Sequence, residues 1–265
     1  MANEISFTID SEKCTGCGAC VNICLRHIIE LRNNKALTSG TGCFMCGHCL
    51  AVCPQNAVSA KGCDDEIWEI SGKRIFLDEA ALMLHLKARR SIRRYKTSPV
   101  EKEKIEKIIE AGRLTPTGSN RQNVRYIVIQ NEIDAVEDAV IAQYKTPDEM
   151  PSPQGHFVEL PYTFDKSRLK RGFLFYNAPL VILAVSQVEI NACLAAMNME
   201  LMSEALGLGV VYVGLFARPA NLNMELRNSL GIAKEEVIAA CLAIGYPDVE
   251  FSRTAPRKRA SVTWR

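Results

Sequence analysis

The sequence predicts an α+β chain built in two parts, and three observations carry that expectation. Eight of the 11 cysteines fall between Cys14 and Cys53, at a spacing that occurs twice. From Asp78 onward the chain turns to interspersed helix-type and strand-type segments without any cysteine pattern. Between these stretches, residues 64–77 carry mixed charge and no periodicity, as a connection does. The expected organisation is a small front domain over 1–63, a linker over 64–77 and a larger domain over 78–265. A length of 265 residues is comfortable for two domains.

Net charge is +2, with 48% hydrophobic and 23% charged residues, which are globular values. Neither a polybasic tail nor a strongly acidic face dominates, so composition favours no nucleic-acid partner and no acidic substrate. The N-terminal residues 1–6 hold an early acid and no apolar core of the kind an export signal needs. The longest apolar runs, 178–185 and 237–244, fall short of the roughly 20 residues that span a bilayer. A cytoplasmic, reducing location with no membrane partner is expected.

In the front part, Cys14, Cys17, Cys20 and Cys24 repeat as Cys43, Cys46, Cys49 and Cys53, followed by Pro54, with a period of 29 residues. A four-iron cluster needs four thiolates converging on the corners of a cube; short spacings let one loop deliver three, and the glycines between them let the backbone wrap. The fourth cysteine of such a run ligates the other cluster. The first [4Fe-4S] cluster would take Cys14, Cys17, Cys20 and Cys53, and the second Cys43, Cys46, Cys49 and Cys24. A disulfide framework suits small secreted chains rather than this one. Structural zinc would use four ligands per site, which fits three close cysteines plus a distant fourth less well. The run resembles the bacterial two-cluster ferredoxins over residues 1–63, departing from them at Leu25, where that family usually has proline. Residues 3–9 alternate as a short strand, and Val58 closes a matching segment. Large apolar residues are few here, so the clusters are expected to serve as the interior and iron removal to unfold the segment. Of the remaining cysteines, Cys193 and Cys241 sit in apolar surroundings, as small packed hydrophobes do.

In the larger part, residues 78–90 read as an amphipathic helix with an acidic start and a basic end, matching the helix dipole, and carry His85 as a packed or surface residue. Ser98-Pro99-Val100-Glu101 reads as a capped helix start, with Ile105, Ile108 and Ile109 as the apolar stripe and an end near Gly112. A strand follows over 126–130. Residues 145–172, rich in proline and aromatics, have the length and punctuation of a functional lid or substrate wall. Residues 179–186 form a short, continuously apolar central strand. Residues 190–206 form a helix apolar nearly all round, as expected of a domain centre or a subunit interface. Strands over 210–216 and 237–244 flank a helix over 221–230. The tail from Arg257 reads as an extended arm that docks elsewhere.

Arg89-Arg90-Ser91-Ile92-Arg93-Arg94-Tyr95 places guanidiniums and a hydroxyl just beyond a helix end, suited to phosphate or carbonyl oxygens. With this stretch, residues 114–122 (Leu-Thr-Pro-Thr-Gly-Ser-Asn-Arg-Gln), Asn177-Ala-Pro-Leu-Val-Ile, Asn198 to Gly209, residues 242–247 (Leu-Ala-Ile-Gly-Tyr-Pro) and Arg257 to Arg259 occur in order, and together they resemble the flavin-dependent nitroreductase family from about Leu77 to the C-terminus. The resemblance implies a central, mainly antiparallel sheet flanked by helices and an FMN shared between the two subunits of a homodimer. It implies that Arg89, Ser91 and Arg93, helped by Arg90, contact the FMN phosphate and ring. Asn120 would meet the pyrimidine edge, with Gln122 close by. The backbone of Gly214 and Leu215 would lie near the reactive ring nitrogen, and Arg257 and Arg259 would close on the phosphate. The chain departs from the family at Asn123-Val124, where proline and an aromatic residue are common.

The two halves together imply an oxidoreductase. A low-potential donor such as ferredoxin would feed the clusters, then FMN, then a small electron-poor acceptor such as a nitroaromatic. Two other readings keep the cofactors. One is a different flavin reduction, of a halogenated compound or an activated double bond, or oxidative flavin breakdown. The other is a non-catalytic electron carrier or redox sensor.

Overall fold

The computed structural model describes residues 6–62, 65–70, 76–144 and 170–265. The segment 145–172 named above falls outside these residues except for its last three, and Cys63 also falls outside them. The chain divides into two compact units. One comprises residues 1–76 with Thr117–Arg121, the other Leu77–Pro116 with Gln122–Arg265.

The first unit is two small two-stranded sheets and two short helices. β1 (Ser6–Ile9) pairs antiparallel with β4 (Val58–Lys61), Ile9 opposite Val58. β2 (Ile29–Arg32) and β3 (Lys35–Thr38) form a hairpin, which the sequence reading treated only as a loop. Its two-residue turn, Asn33-Asn34, has φ of +49° and +57°, the double left-handed conformation that matches strand twist and that asparagine tolerates. α1 (Ala19–Ile23) and α2 (His48–Ala51) each begin just after a left-handed glycine inside a cysteine run, Gly18 and Gly47. Among the described residues of this unit the buried apolar ones are Cys14, Cys20, Ile29, Ala36 and Ala57, with Val58 on β4. So small a core leaves little hydrophobic stabilisation.

The second unit is a four-stranded antiparallel sheet between two helical layers. Its strands are β5 (Arg125–Ile129), β6 (Leu180–Ser186), β7 (Gly209–Tyr212) and β8 (Val237–Gly245), in the order β5-β6-β8-β7. Alternate residues of β6 enter opposite layers, because successive strand side chains point to opposite faces. Leu180, Ile182 and Ala184 pack with α4 (Lys102–Arg113) and α6 (Glu189–Ala205), while Val181, Leu183 and Val185 pack with α5 (Ile133–Ile141) and α7 (Gly214–Leu222). Every residue of β6 is buried, as its continuous apolar run requires. α3 (Glu79–Ala88) is capped by Asp78, whose carboxylate accepts from the Ala81 amide at 2.7 Å.

Three elements are bounded differently from the sequence reading, and a fourth was absent from it. α4 starts at Lys102, not at the Ser98-Pro99 signal, because Val100 is drawn into the core at 3% exposure and the chain stays extended up to Glu101. The strand expected over 210–216 stops at Tyr212, and Gly214 opens α7. The helix expected over 221–230 is the shorter α8 (Met224–Ser229), capped by Asn223, whose side chain accepts from the Leu226 amide at 3.0 Å. α5 was not foreseen. α6 buries Ala192, Ala195, Ala196 and Met199 but exposes Ile190, Leu194 and Met197 on its other face. The arm over 257–265 is extended and exposed, with Trp264 91% exposed. Among the described residues no helix is long and apolar enough to cross a membrane.

Candidate functional site

Two cavities in the first unit are bounded by the two crossed cysteine sets. One, of about 20 Å³, is lined by Cys14, Cys17, Cys20 and Cys53 with Ala36 and Ala57. The other, of about 810 Å³ and open to solvent, is lined by Cys43, Cys46, Cys49 and Cys24. All eight thiols are free, and among the described residues no three of His, Cys, Asp or Glu converge on a single-ion position. Backbone amides approach the sulfurs: Ala36 to Cys14 at 3.4 Å, Ala57 to Cys53 at 3.3 Å and Met45 to Cys43 at 3.3 Å. The amides of Ala36 and Gly16 pull the Cys14 thiol below its ordinary range, aided by Lys35, whereas burial pushes Cys20 and Cys49 up. Sulfur ligands arranged round a cavity, with N–H donors aimed at them, fit a cluster with thiolate ligands. Leu25 is 76% exposed, and its departure from proline leaves Cys24 lining the second cavity. Arg26 bends over that loop, its Nε 2.9 Å from the Gly42 carbonyl and its guanidinium 4.8 Å from the Phe44 ring centre.

In the second unit, the loop carrying Arg89, Arg90, Ser91 and Arg93 leaves α3 and is stitched to the edge strand β7. Ile92 donates its amide to the Val210 carbonyl at 3.0 Å, and its side chain fills the space that Gly209 leaves by lacking a Cβ. The Tyr95 hydroxyl lies 2.8 Å from the Ile92 carbonyl and 2.9 Å from that of Ala243, and burial raises its pKa. Arg90 turns back on the carbonyls of Lys87, Ala88 and Arg89, so it serves as a cap for the C-terminus of α3. Arg93 is exposed, 5.8 Å from the Tyr176 ring centre. Arg89 makes a 2.6 Å ion pair from Nε to Oε1 of Glu200, a carboxylate 1% exposed in the middle of α6.

Glu200 was missed from sequence, although an acid inside an otherwise apolar helix is itself a signal, since a buried carboxylate requires a partner. Burial pushes the hydroxyl of Tyr212, at the end of β7, well above its ordinary range, and the negative charge of Glu200 adds to the rise. One turn further along α6, Glu204 has its carboxyl pushed up by burial and lies 3.0 Å from His85 Nε2. That imidazole nitrogen is buried and the carboxylate lies off its hydrogen-bonding direction, so the contact is a close approach and not a hydrogen bond.

Beyond Tyr212, the position a Cβ would take on Gly214 is open space, so a planar ligand can approach the backbone there. α7 contains Pro219, which has no N–H for the Leu215 carbonyl; the Tyr144 hydroxyl donates to that carbonyl instead. Burial pushes Tyr144 up to about 12. Asn120 belongs to the first unit, where its amide donates to the Met45 carbonyl at 2.8 Å; Gln122 has φ +49°. Asn123, where the family pattern is broken, accepts from the buried Asn191 of α6 at 2.9 Å. Arg257 and Arg259 lie in the exposed arm. The structure thus gathers Arg89, Ser91, Arg93 and the Gly214 turn round the β7 edge. Open backbone next to cationic side chains fits a flat, anionic cofactor such as FMN.

Residues 86–246 match the model of the Nitroreductase family. The chain belongs to the nitroreductase family. Residues 13–58 match the 4Fe-4S dicluster domain, so this nitroreductase-family chain carries a ferredoxin-type front domain. A relative from Archaeoglobus fulgidus, with NADH dehydrogenase/NAD(P)H nitroreductase in its name, is 27% identical over 186 residues, covering 66% of this chain and 88% of the relative. The ferredoxin of Methanothermococcus thermolithotrophicus is 37% identical over 59 residues, covering 21% of this chain and 98% of that protein. An FMN-dependent nitroreductase structure from Clostridium difficile R20291 superposes with a TM-score of 0.53 at 16% identity, covering 70% of this chain and 99% of that one. These likenesses bear out the α+β fold, and the family is one of oxidoreductases.

Proposed function

We propose that this nitroreductase-family chain takes electrons from a low-potential donor such as reduced ferredoxin and delivers them to a small electron-poor acceptor, a nitroaromatic or similar compound. The observation that carries the reading is the placement of each crossed cysteine set round its own cavity, on a chain whose larger part belongs to a flavin-associated oxidoreductase family. When bound, two [4Fe-4S] clusters would supply single-electron transfer and FMN would convert it to paired electrons for the acceptor.

The protein's part is to bind and to orient. Cys14, Cys17, Cys20 and Cys53 hold one cluster, and Cys43, Cys46, Cys49 and Cys24 the other. The amides of Ala36, Ala57 and Met45 disperse charge on the sulfurs. Arg89, Ser91 and Arg93 meet FMN, and the bare backbone at Gly214 and Leu215 lies against its ring, with Gln122, Arg257 and Arg259 completing the site. The domain boundaries are those at 63 and 78. The chain acts as a homodimer, whose interface would cover the apolar side chains that α3 and α6 expose, Leu82, Met83, Leu86, Ile190 and Leu194.

The test is anaerobic purification with iron, sulfide and FMN counted per chain, then stepwise reduction and turnover of a nitroarene with reduced ferredoxin or NAD(P)H as donor. Iron and flavin both present, with multiple turnover, support the reading. A reconstituted protein that holds neither, or one that reduces fully without turning over any acceptor, refutes it.

A further inference from the structure

Glu200 is a carboxylate buried beside the arginine loop of the flavin site described above. It projects from α6, is 1% exposed, and receives Arg89 Nε at 2.6 Å. A guanidinium is a planar fork with two usable edges. Pairing through Nε engages the side edge, while the end edge, made of both Nη groups, stays directed away from the carboxylate. That end edge is the one that meets a phosphate or a pair of carbonyl oxygens in two parallel bonds. Arg89 keeps 21% side-chain exposure, enough to reach a ligand while its root stays fixed.

We propose that Glu200 is a positioning residue of the flavin site: by pairing with Nε of Arg89 it anchors the 89–93 loop at its first residue and fixes which edge of the Arg89 guanidinium faces the cofactor. The proposal rests on the FMN reading above. A carboxylate on a buried helix is rigid in a way that the loop is not, so a mounting on α6 supplies preorganisation that the loop lacks.

The experiment measures FMN affinity of the full-length protein, stripped of flavin and titrated back anaerobically by fluorescence, for the wild type, Glu200→Gln, Arg89→Gln, the double variant and Tyr212→Phe. Thermal unfolding without FMN is recorded for each. Glu200→Gln should weaken FMN binding about 10- to 100-fold, the worth of one charge-assisted hydrogen bond. The double variant should be scarcely weaker than Arg89→Gln alone, because both changes act through one guanidinium. Tyr212→Phe, which leaves the Arg89–Glu200 pair intact, should bind FMN as the wild type does. A Glu200→Gln protein that melts lower yet binds FMN as the wild type does would show a stability role only and overturn the proposal. If Glu200→Gln does not fold, Glu200→Asp, whose shorter arm draws the carboxylate back from Arg89, is titrated in its place: an affinity equal to that of the wild type overturns the proposal and a loss supports it. A wild type that binds no FMN refutes the flavin reading itself, a different outcome from any of these.

Discussion

Gly209→Ala tests how the edge strand holds the arginine loop. A Cβ at Gly209 would lie 2.4 Å from Ile92 Cγ1, 2.8 Å from its Cβ and 3.0 Å from its Cγ2. Carbon atoms rest at about 3.5–4.0 Å, so Ile92 has to retreat by roughly 1 Å or more. It has little freedom to do so. Its side chain is β-branched and 6% exposed, and its amide is bonded to Val210. Overpacking of this kind costs about 1–3 kcal/mol. For a domain of this size that lowers Tm by roughly 2–12 °C, at 2–4 °C per kcal/mol. Because Ser91 and Arg93 flank Ile92, FMN affinity should fall in the same variant. Adding Ile92→Ala removes Cγ1 and Cγ2 and leaves only the Cβ contact, so the pair should cost less than the sum of the single changes. The assays are thermal unfolding by circular dichroism and FMN titration. A Gly209→Ala protein that melts and binds as the wild type does would refute the account of how β7 seats the loop.

Three further outcomes follow from the packing. Cys24→Ser should abolish the second cluster and spare the first, lowering iron from about eight to about four per chain; loss of both or of neither would break the crossed assignment. Glu137, 1% exposed, accepts from the amides of Gly172, Leu174 and Phe175 at 2.6, 2.6 and 3.1 Å; Glu137→Gln turns one acceptor into a donor facing a donor, and chemical unfolding should show a loss of about 2 kcal/mol or more. The hydrogen bond from Arg125 holds the Glu236 carboxyl below its ordinary value, so its stabilisation is present above the unfolded pKa near 4.5 and is lost as pH falls through the lower folded value. Glu236→Gln should therefore cost stability at neutral pH and flatten the decline below about pH 4.5, read from unfolding midpoints across that range.

The cysteine runs were fully legible because metal ligation fixes spacing more tightly than packing does. Residues 179–186 were legible too, since a strand buried on both faces has to be apolar throughout. The Asn33-Asn34 hairpin was passed over because its strands are only four residues each and lie inside the interval between cysteine runs. The stretch 210–216 was overextended because a short apolar run does not distinguish strand from helix, and its last residues belong to α7. α4 was placed three residues early because a local capping signal competed with the burial of Val100, and tertiary packing prevailed. Of the site, the arginine loop and Gly214 could be named from sequence. Glu200 was not named, although its place in an apolar helix was a signal, because its partner Arg89 reaches it from the α3 exit across 111 residues.

The two stems that bracket residues 145–169 are each moored by a polar latch of their own. Tyr144 is fastened to Leu215, where Pro219 frees a carbonyl, and Gly172 to Phe175 are gathered by Glu137. Each latch hangs on one side chain, so a single substitution at Tyr144 or at Glu137 would loosen its own stem and leave the other in place.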